Sequence, residues 1–479
     1  MVSNRYMDIT VVGSGPNGLA AALTCARAGL KVRVLEAEST PGGGARTLPD
    51  PEFPTVSHDV CSAIHPLALA SPFFRAFGLA DRIALNTPEI SYANPLPDRA
   101  AAVAYHDLDR TCAELEHGQS WRRLLGPFVT DPSPAVDFVL GDKRSVPSHA
   151  VTVARLVQRM LIQGTPLWST LRGEDARALF SGVAAHGVSR MPSVTTGALG
   201  MMLSILAHAG GWPAPVGGSQ AIADALLADL TAHGGELVLG EGVTSPPPGV
   251  VLYDTPATAL LDIYGDRLPD AYAKALRRRT FGISASKVDF VLSEEIPWRD
   301  PRLRSSATFH LGGTRAQMAH AEAVTAKGGH SDWPMVLAAS PHVADPSRID
   351  AAGRRPFWTY AHVPHGSPVD QTDTILRIME RFAPGFSDVV VAVRSVPAAE
   401  MARHNANLIG GDITGGGNSA WRALAGPTLR LNPWSTPIPR AYLCSAATPP
   451  NGGVHGMAGF YAARTVLQRE FGLPVPSLR

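Results

Sequence analysis

The sequence predicts an α/β fold (α+β overall) in which an N-terminal parallel βαβ unit is joined to a second, interleaved domain of mixed sheet and helices. Three observations predict it. Residues 8–36 read as strand, glycine turn, helix and strand in register. Two further glycine clusters, at 217–218 and 452–456, each precede a helical stretch. Between them, parts of 276–395 alternate apolar and polar positions as half-buried strands do. The chain can bury such a core: of its 479 residues 45% are hydrophobic and 17% charged, against a usual ~25% charged. Disorder is excluded. With 42 Lys and Arg against 41 Asp and Glu, a net charge of +1 and no basic run, a nucleic-acid partner is not expected.

The N-terminal unit is the most specific signal. Ile9, Val11 and Val12 run into Gly13-Ser14-Gly15-Pro16-Asn17-Gly18, and Leu19, Ala22, Leu23 and Ala26 then fall on one helical face that stops at Gly29. A second strand, Lys31 to Leu35, ends at Glu36. Gly13 allows the tight turn, Gly15 lets the backbone approach a pyrophosphate, and Gly18 lets helix and strand pack closely. The helix N-terminus offers free N–H groups to an anion. Glu36 can accept the hydroxyls of an adenosine ribose and repels a 2′-phosphate. The pattern predicts a Rossmann-like dinucleotide site; the alternative is a glycine turn that binds nothing.

Four widely spaced cysteines, Cys25, Cys61, Cys112 and Cys444, contain no Cys-x-x-Cys, so neither a dithiol redox centre nor a cysteine-based zinc site is expected. A reduced, cytoplasmic setting is the simplest reading. The first strand follows the N-terminus directly and no signal peptide is read. The longest apolar stretch, Gly197 to Trp212, is short of the ~20 residues of a membrane span.

The segment after Glu36 and Ala37 separates FAD from NAD. Pro41-Gly42-Gly43-Gly44-Ala45-Arg46-Thr47 resembles the glycine-and-arginine extension of glutathione-reductase-like and amine-oxidase-like flavoproteins. The resemblance implies that Gly43, Gly44 and Ala45 run under the pyrophosphate and that Arg46 contacts phosphate; the alternative is a surface turn with a solvated Arg46. Pro215 to Gln220, a helix with Ile222, Leu226 and Leu230 on one face, the strand Glu236 to Leu239 and an extended piece from Val243 resemble the return segment whose valine backbone touches adenine. Gly217-Gly218 has no preceding strand and no third glycine, so no separate NAD(P)H domain is expected. Ala441 to Gly456, followed by a helix through Met457 and Phe460, resembles the segment that closes over the flavin, with Gly453, Val454, His455 and Gly456 at the ring.

Taken together, GSGPNGLAAAL (13–23), PGGGART (41–47), DVCSAIHPLALASPFF (59–74), AHAGGWPAPVGGSQAIADAL (207–226) and YLCSAATPPNGGVHG (442–456) are similar to the phytoene desaturase-like FAD-dependent oxidoreductases, relatives of the amine oxidases. The likeness implies one noncovalent FAD, a Rossmann-like FAD-binding domain at 1–75, 213–275 and 396–479, and a substrate domain at 76–212 and 276–395. Within the latter, 276–395 reads as mostly β, through Lys287–Leu292, Trp333–Ala338 and Phe357–Val363, and 150–212 as helical, with Leu156, Met160 and Leu161 together. Two departures stand out. Only Thr244 to Val250 separate Val243 from Val251, with Pro246 to Pro248 in place of a β-hairpin, and Ser445, Ala446 and Ala447 replace the strand-end aspartate of the disulfide reductases.

Two residues are candidate bases. His65 precedes Pro66 in a stretch resembling the family's His-Pro motif; it reads either as a base or as a cap. Lys287 sits mid-strand in an apolar run, sharing a face with Asp289, and reads either as a base near the flavin or as one half of an ion pair. His310, His362 and His365 read as pocket or core histidines; no metal site is expected. The leading functional expectation is carbon–carbon desaturation of an apolar or isoprenoid-like small molecule. The alternatives are an amine-oxidase-like carbon–nitrogen oxidase and a flavoprotein acting as a binding or scaffold module. The electron acceptor, the oligomeric state and contact with a membrane surface are left open by the sequence.

Overall fold

In a computed structural model the chain is described over residues 7–279, 281–416 and 425–479. Five short strands form one all-parallel sheet in the order Ala441–Leu443, Val250–Tyr253, Ile9–Val12, Val32–Glu36, Glu236–Leu239. Parallel strands need covered faces, and both are covered here. Helix Pro16–Arg27 packs on one side against helix Gln220–Ala232 and helix Met457–Val466, forming an apolar core with the sheet. Helices Ala259–Tyr264 and Asp270–Arg277 cover the other face.

Helix Pro16–Arg27 is buried from Asn17 to Ala26 all round, not on the single face expected from Leu19, Ala22, Leu23 and Ala26. The reason lies in its small residues. A Cβ on Gly459 would fall 1.8 Å from Asn17 O, so the C-terminal helix crosses within backbone contact and covers Ala20 to Ala22. Val243 begins no strand. The chain runs irregularly from Gly240 to Gly249, and Glu241 N–H donates to Glu36 O at 2.8 Å, which ties this run to the edge of the sheet. Three consecutive prolines remove the donors a hairpin would need.

The second sheet has seven strands in the order Val390–Val396, Ile283–Leu292, Arg355–Pro364, Val336–Ala339, Thr308–His310, Ile90–Leu96, Arg99–Tyr105. All neighbours are antiparallel except Thr308–His310 beside Ile90–Leu96. One face packs on Thr372–Phe382 with Phe290, Phe357 and Phe386. The other faces a cavity roofed by helices Ala150–Gln163 and Val194–Ala209, with helix Glu174–Ala184 in the same apolar core. Strand Ile283–Leu292 is therefore buried on both sides. Of the helical trio, Leu156 and Met160 are buried but Leu161 is 46% exposed. No helix among the described residues is long and apolar enough to cross a membrane.

Candidate dinucleotide and substrate site

The glycine turn leaves the C-terminal end of strand Ile9–Val12, where Gly13 N–H donates to Leu35 O at 2.8 Å. Glu36 is buried beside it. Its Oε2 accepts from Ser14 N–H at 2.8 Å and from Ser14 Oγ at 2.5 Å, and its Oε1 accepts from Glu38 N–H at 3.0 Å. Oε2 is filled by its two donors and Oε1 keeps a second acceptor site, so the side chain is oriented by the loop and retains capacity for one ligand hydroxyl. Gly18 does not line the cavity. A Cβ there would lie 2.3 Å from Gly13 O, which is the close helix–strand packing expected of it.

Gly15 is required for a reason absent from the sequence reading. A Cβ on it would fall 2.5 Å from Asp254 Oδ2, and a Cβ on Gly43 would fall 2.9 Å from Gly15 Cα. Asp254, at the end of strand Val250–Tyr253, is the residue that sequence reasoning missed. Its Oδ2 accepts from Gly18 N–H at 2.9 Å, so it caps helix Pro16–Arg27 from a neighbouring strand. Burial pushes this carboxyl up to about 8, with Glu36 adding in the same direction. The signal was an acid at a strand end, but only the topology brings it to the glycine turn.

Arg46 is buried and lines the cavity, with its guanidinium bound to Gly43 O at 3.0 Å, His404 O at 2.8 Å and Glu38 Oε2 at 3.2 Å. It braces the second glycine loop, neither solvated nor free. Across the cavity, Gly453 and Val454 line the wall, whereas His455 and Gly456 do not. His455 is buried: Nδ1 accepts from Met457 N–H at 3.1 Å and Nε2 donates to Asn451 O at 3.0 Å. Burial lowers it to about 4, so a neutral imidazole caps the C-terminal helix. A Cβ on Gly456 would meet Phe73 at 2.5 Å. The ring-side position expected for these two residues is thus replaced by a role behind the turn.

One cavity of about 1310 Å³ joins these pieces. It is lined by Gly13, Ser14, Gly15, Pro16 and Asn17, by Glu36 and Ala37, by Gly43, Gly44, Ala45 and Arg46, by Val243, and by both candidate bases, His65 and Lys287. Among the described residues four buried polar atoms of lining residues have no partner: Thr308 Oγ1 and Trp358 Nε1 on the second sheet, and Asn17 Oδ1 and Asn451 Oδ1 at the two glycine turns. Orphans of this kind cost free energy unless a ligand or water meets them. The glycine cradle, the acid at the second strand and the orphans at the two glycine turns fit a dinucleotide.

His65 Nε2 donates to Ser219 Oγ at 2.7 Å, and that hydroxyl in turn donates to Ser62 O. Burial lowers His65 to about 4, which keeps it neutral. Its carbonyl opens helix Pro66–Ala70, but its side chain makes no cap. Lys287 is 2% exposed and its Nζ contacts Asp289 Oδ2, with the Trp358 ring centroid at 5.9 Å. Asp289 leads on to His58 at 3.8 Å, and His58 to Asp50 at 3.5 Å. The ion pair and the cavity position thus coexist. His362 Nδ1 meets Glu322 at 2.7 Å, while His365 stacks on Phe281, so the two histidines do not converge. Among the described residues no cluster of three potential ligands could hold a metal. Cys444 is fully buried, and its backbone N–H donates to Tyr253 O.

Residues 11–77 match the model of an NAD(P)-binding Rossmann-like domain. Along nearly its whole length the chain is similar to the rat pyridine nucleotide-disulfide oxidoreductase domain-containing protein 2, at 23% identity over 96% of this chain and 93% of that one. A 47-residue stretch, 10% of each chain, is 53% identical to hydroxyneurosporene desaturase of Rhodobacter capsulatus. Among solved structures, a putrescine oxidase variant superposes with a TM-score of 0.61 at 15% identity, covering 97% of this chain and 99% of that one. The protein therefore has a Rossmann-like domain joined to a mixed β/α domain, the fold that putrescine oxidase shares.

Proposed function

We propose that the chain is an FAD-dependent oxidoreductase that removes a hydride from carbon in a largely apolar substrate. The observation that carries this is the continuity of the cavity from the glycine turn, past Lys287, to the floor of the second sheet. At about 1310 Å³ it exceeds the ~300–1,000 Å³ of an ordinary small-molecule pocket, which suits a dinucleotide and a substrate together. FAD is favoured over a nicotinamide nucleotide by the second glycine loop at Gly42–Gly44 and the closing turn at Gly452–Val454, which extend the cradle beyond one βαβ unit. The division into 1–75, 213–275 and 396–479 against 76–212 and 276–395 belongs to this proposal.

FAD, when bound, supplies the hydride acceptor. The chain's own groups do the rest. Gly13 to Asn17 would hold the pyrophosphate, Glu36 the ribose, and Val243 the adenine side, while Arg46 fixes the loop at Gly43. Lys287, as the free amine, would accept the proton that leaves with the hydride, and Asp289 would hold the ammonium so formed. His65 would steady the contact between Ser62 and Ser219.

Carbon–nitrogen oxidation, as in amine oxidases, draws support from likeness along the whole chain, whereas carbon–carbon desaturation draws it from the 47 residues shared with the desaturase. The first is the better supported. Anaerobic bleaching of the flavin by apolar primary amines, with oxygen uptake on re-aeration, is the expected result. Bleaching by a polyene precursor and by no amine would return the reading to desaturation. A flavin that neither class reduces would point to a binding module.

A further inference from the structure

Two histidines, His310 buried and His186 partly buried, stand side by side in the floor and roof of the substrate cavity. His186, in the turn Ala185–Gly187, lines the cavity, and His310, on strand Thr308–His310, lies against it with the two Nε2 atoms 3.0 Å apart. At that distance one nitrogen donates and the other accepts. Asn94 decides which. Its Nδ2 donates to Ala178 O at 3.0 Å, and a flipped amide would set oxygen against that carbonyl. Asn94 Oδ1 is therefore the atom 3.3 Å from His310 Nδ1, and it accepts. His310 carries its proton on Nδ1 and offers the Nε2 lone pair, so His186 donates from Nε2.

Both rings are neutral. Burial, with a smaller push from His362, lowers His186 to about 3, and burial holds His310 well below its ordinary value. A neutral imidazole has one N–H, so His186 Nδ1 is a lone pair. It has no protein donor among the described residues and is not sealed in the core, which leaves it facing the cavity.

Strand register gives the separation from the other polar end. His310 pairs with Leu337, Leu337 with Tyr360, and Tyr360 with Lys287, in one row across four strands. Three steps of about 4.8 Å put His310 roughly 14 Å from Lys287. Leu337 and Tyr360 floor the cavity between them. The carboxylates lining the cavity, such as Glu36 and Asp254, stand on the nucleotide side; Glu322, behind His362, is fully buried against that ring and does not line the cavity, so no lining carboxylate at the His186 end balances an ammonium.

We propose that His186 Nδ1 accepts a hydrogen bond from an uncharged hydroxyl or N–H at the end of the substrate remote from Lys287, with His310 and Asn94 as positioning residues. The substrate is then elongated, apolar along its middle and polar at its far tip. The placement of the reacting end rests on the oxidoreductase reading; the tautomer chain does not.

Histidine-selective ¹⁵N NMR of the wild-type protein should show His186 as the Nε2–H tautomer and His310 as Nδ1–H, both unprotonated on the second nitrogen down to pH 5. Nδ1–H or an imidazolium at His186 would overturn the assignment. Asn94→Leu should release His310 and shift the His186 signals; an unchanged pattern would remove Asn94 from its role. Binding is read by the fluorescence of Trp212 and Trp358 with two probes, dodecylamine and 12-aminododecan-1-ol. The hydroxylated probe should bind wild type about fivefold more tightly, as one neutral hydrogen bond allows. His186→Phe should abolish that preference. Equal binding by wild type, or a preference that survives in His186→Phe, would contradict the proposal. If no amine reduces the flavin while tautomers and preference hold, the reaction class fails and the His186 assignment stands.

Discussion

Asp254→Asn isolates the electrostatics of the glycine turn. Asparagine keeps an acceptor for Gly18 N–H and removes the ionisation. The wild-type carboxyl is raised from 3.8 to about 8 by burial, with Glu36 adding to the shift. For an acid shifted upward, the folded chain holds a proton that the unfolded chain has lost, so stability falls as pH rises between these values. The loss is about 1.4 kcal/mol per pH unit, on the order of 5 kcal/mol by pH 8, and flat beyond. Unfolding entropy of roughly 2.1 cal/mol/K per residue makes each pH unit worth about 1.4 °C in melting temperature for a chain of this length. Melting curves of both proteins from pH 4 to pH 9 should therefore diverge by about 5 °C in favour of Asp254→Asn, with the divergence complete near pH 8. Anionic dinucleotide bound beside the carboxyl moves it further in the same direction, so the sign holds for holoprotein. A difference that stays constant with pH, or narrows as pH rises, would refute a protonated Asp254.

Lys287→Met keeps chain length while removing the charge. If Lys287 handles the proton, flavin binding survives, reduction by substrate slows by a factor on the order of 10², and the pH profile loses one limb. Loss of folding without that kinetic signature would make Lys287 a structural partner of Asp289, whose carboxylate would be left buried and unpaired. Gly15→Val drives its side chain into Asp254 and should yield colourless protein; a yellow, soluble variant would show that the turn tolerates the side chain. Micromolar NADH or NADPH should not bleach the flavin rapidly under anaerobic conditions, because Gly217-Gly218 follows only the two-residue strand Ala214–Pro215 and opens no second βαβ unit. Rapid bleaching would contradict this.

The dinucleotide unit was legible because its constraints are local: glycine spacing, a helix start and an acid at a strand end are all written within 30 residues. What escaped the sequence depends on distant partners. The hairpin Ile90–Tyr105 joins the second sheet through two parallel pairings, Phe309 with Ala93 and Ser306 with Ile90, and its alanine-rich second strand has little alternation to reveal it. Strand Val336–Ala339 starts after Trp333, whose indole donates to Leu311 O, and after Pro334, which has no N–H to give a ladder. Asp254 reaches Gly18 across 236 positions and His310 reaches His186 across 124, so neither contact leaves a pattern in the chain. His455 was placed at the ring because glycines surround it, whereas its two ring nitrogens are spent on the turn behind.

The central claim is that this cleft binds FAD, and release of the cofactor from purified holoprotein tests it most directly. Acid precipitation followed by chromatography and mass measurement should give FAD, noncovalently held, at one per chain. Recovery of FMN, of a nicotinamide nucleotide, or of a flavin that stays with the precipitated protein would contradict the account.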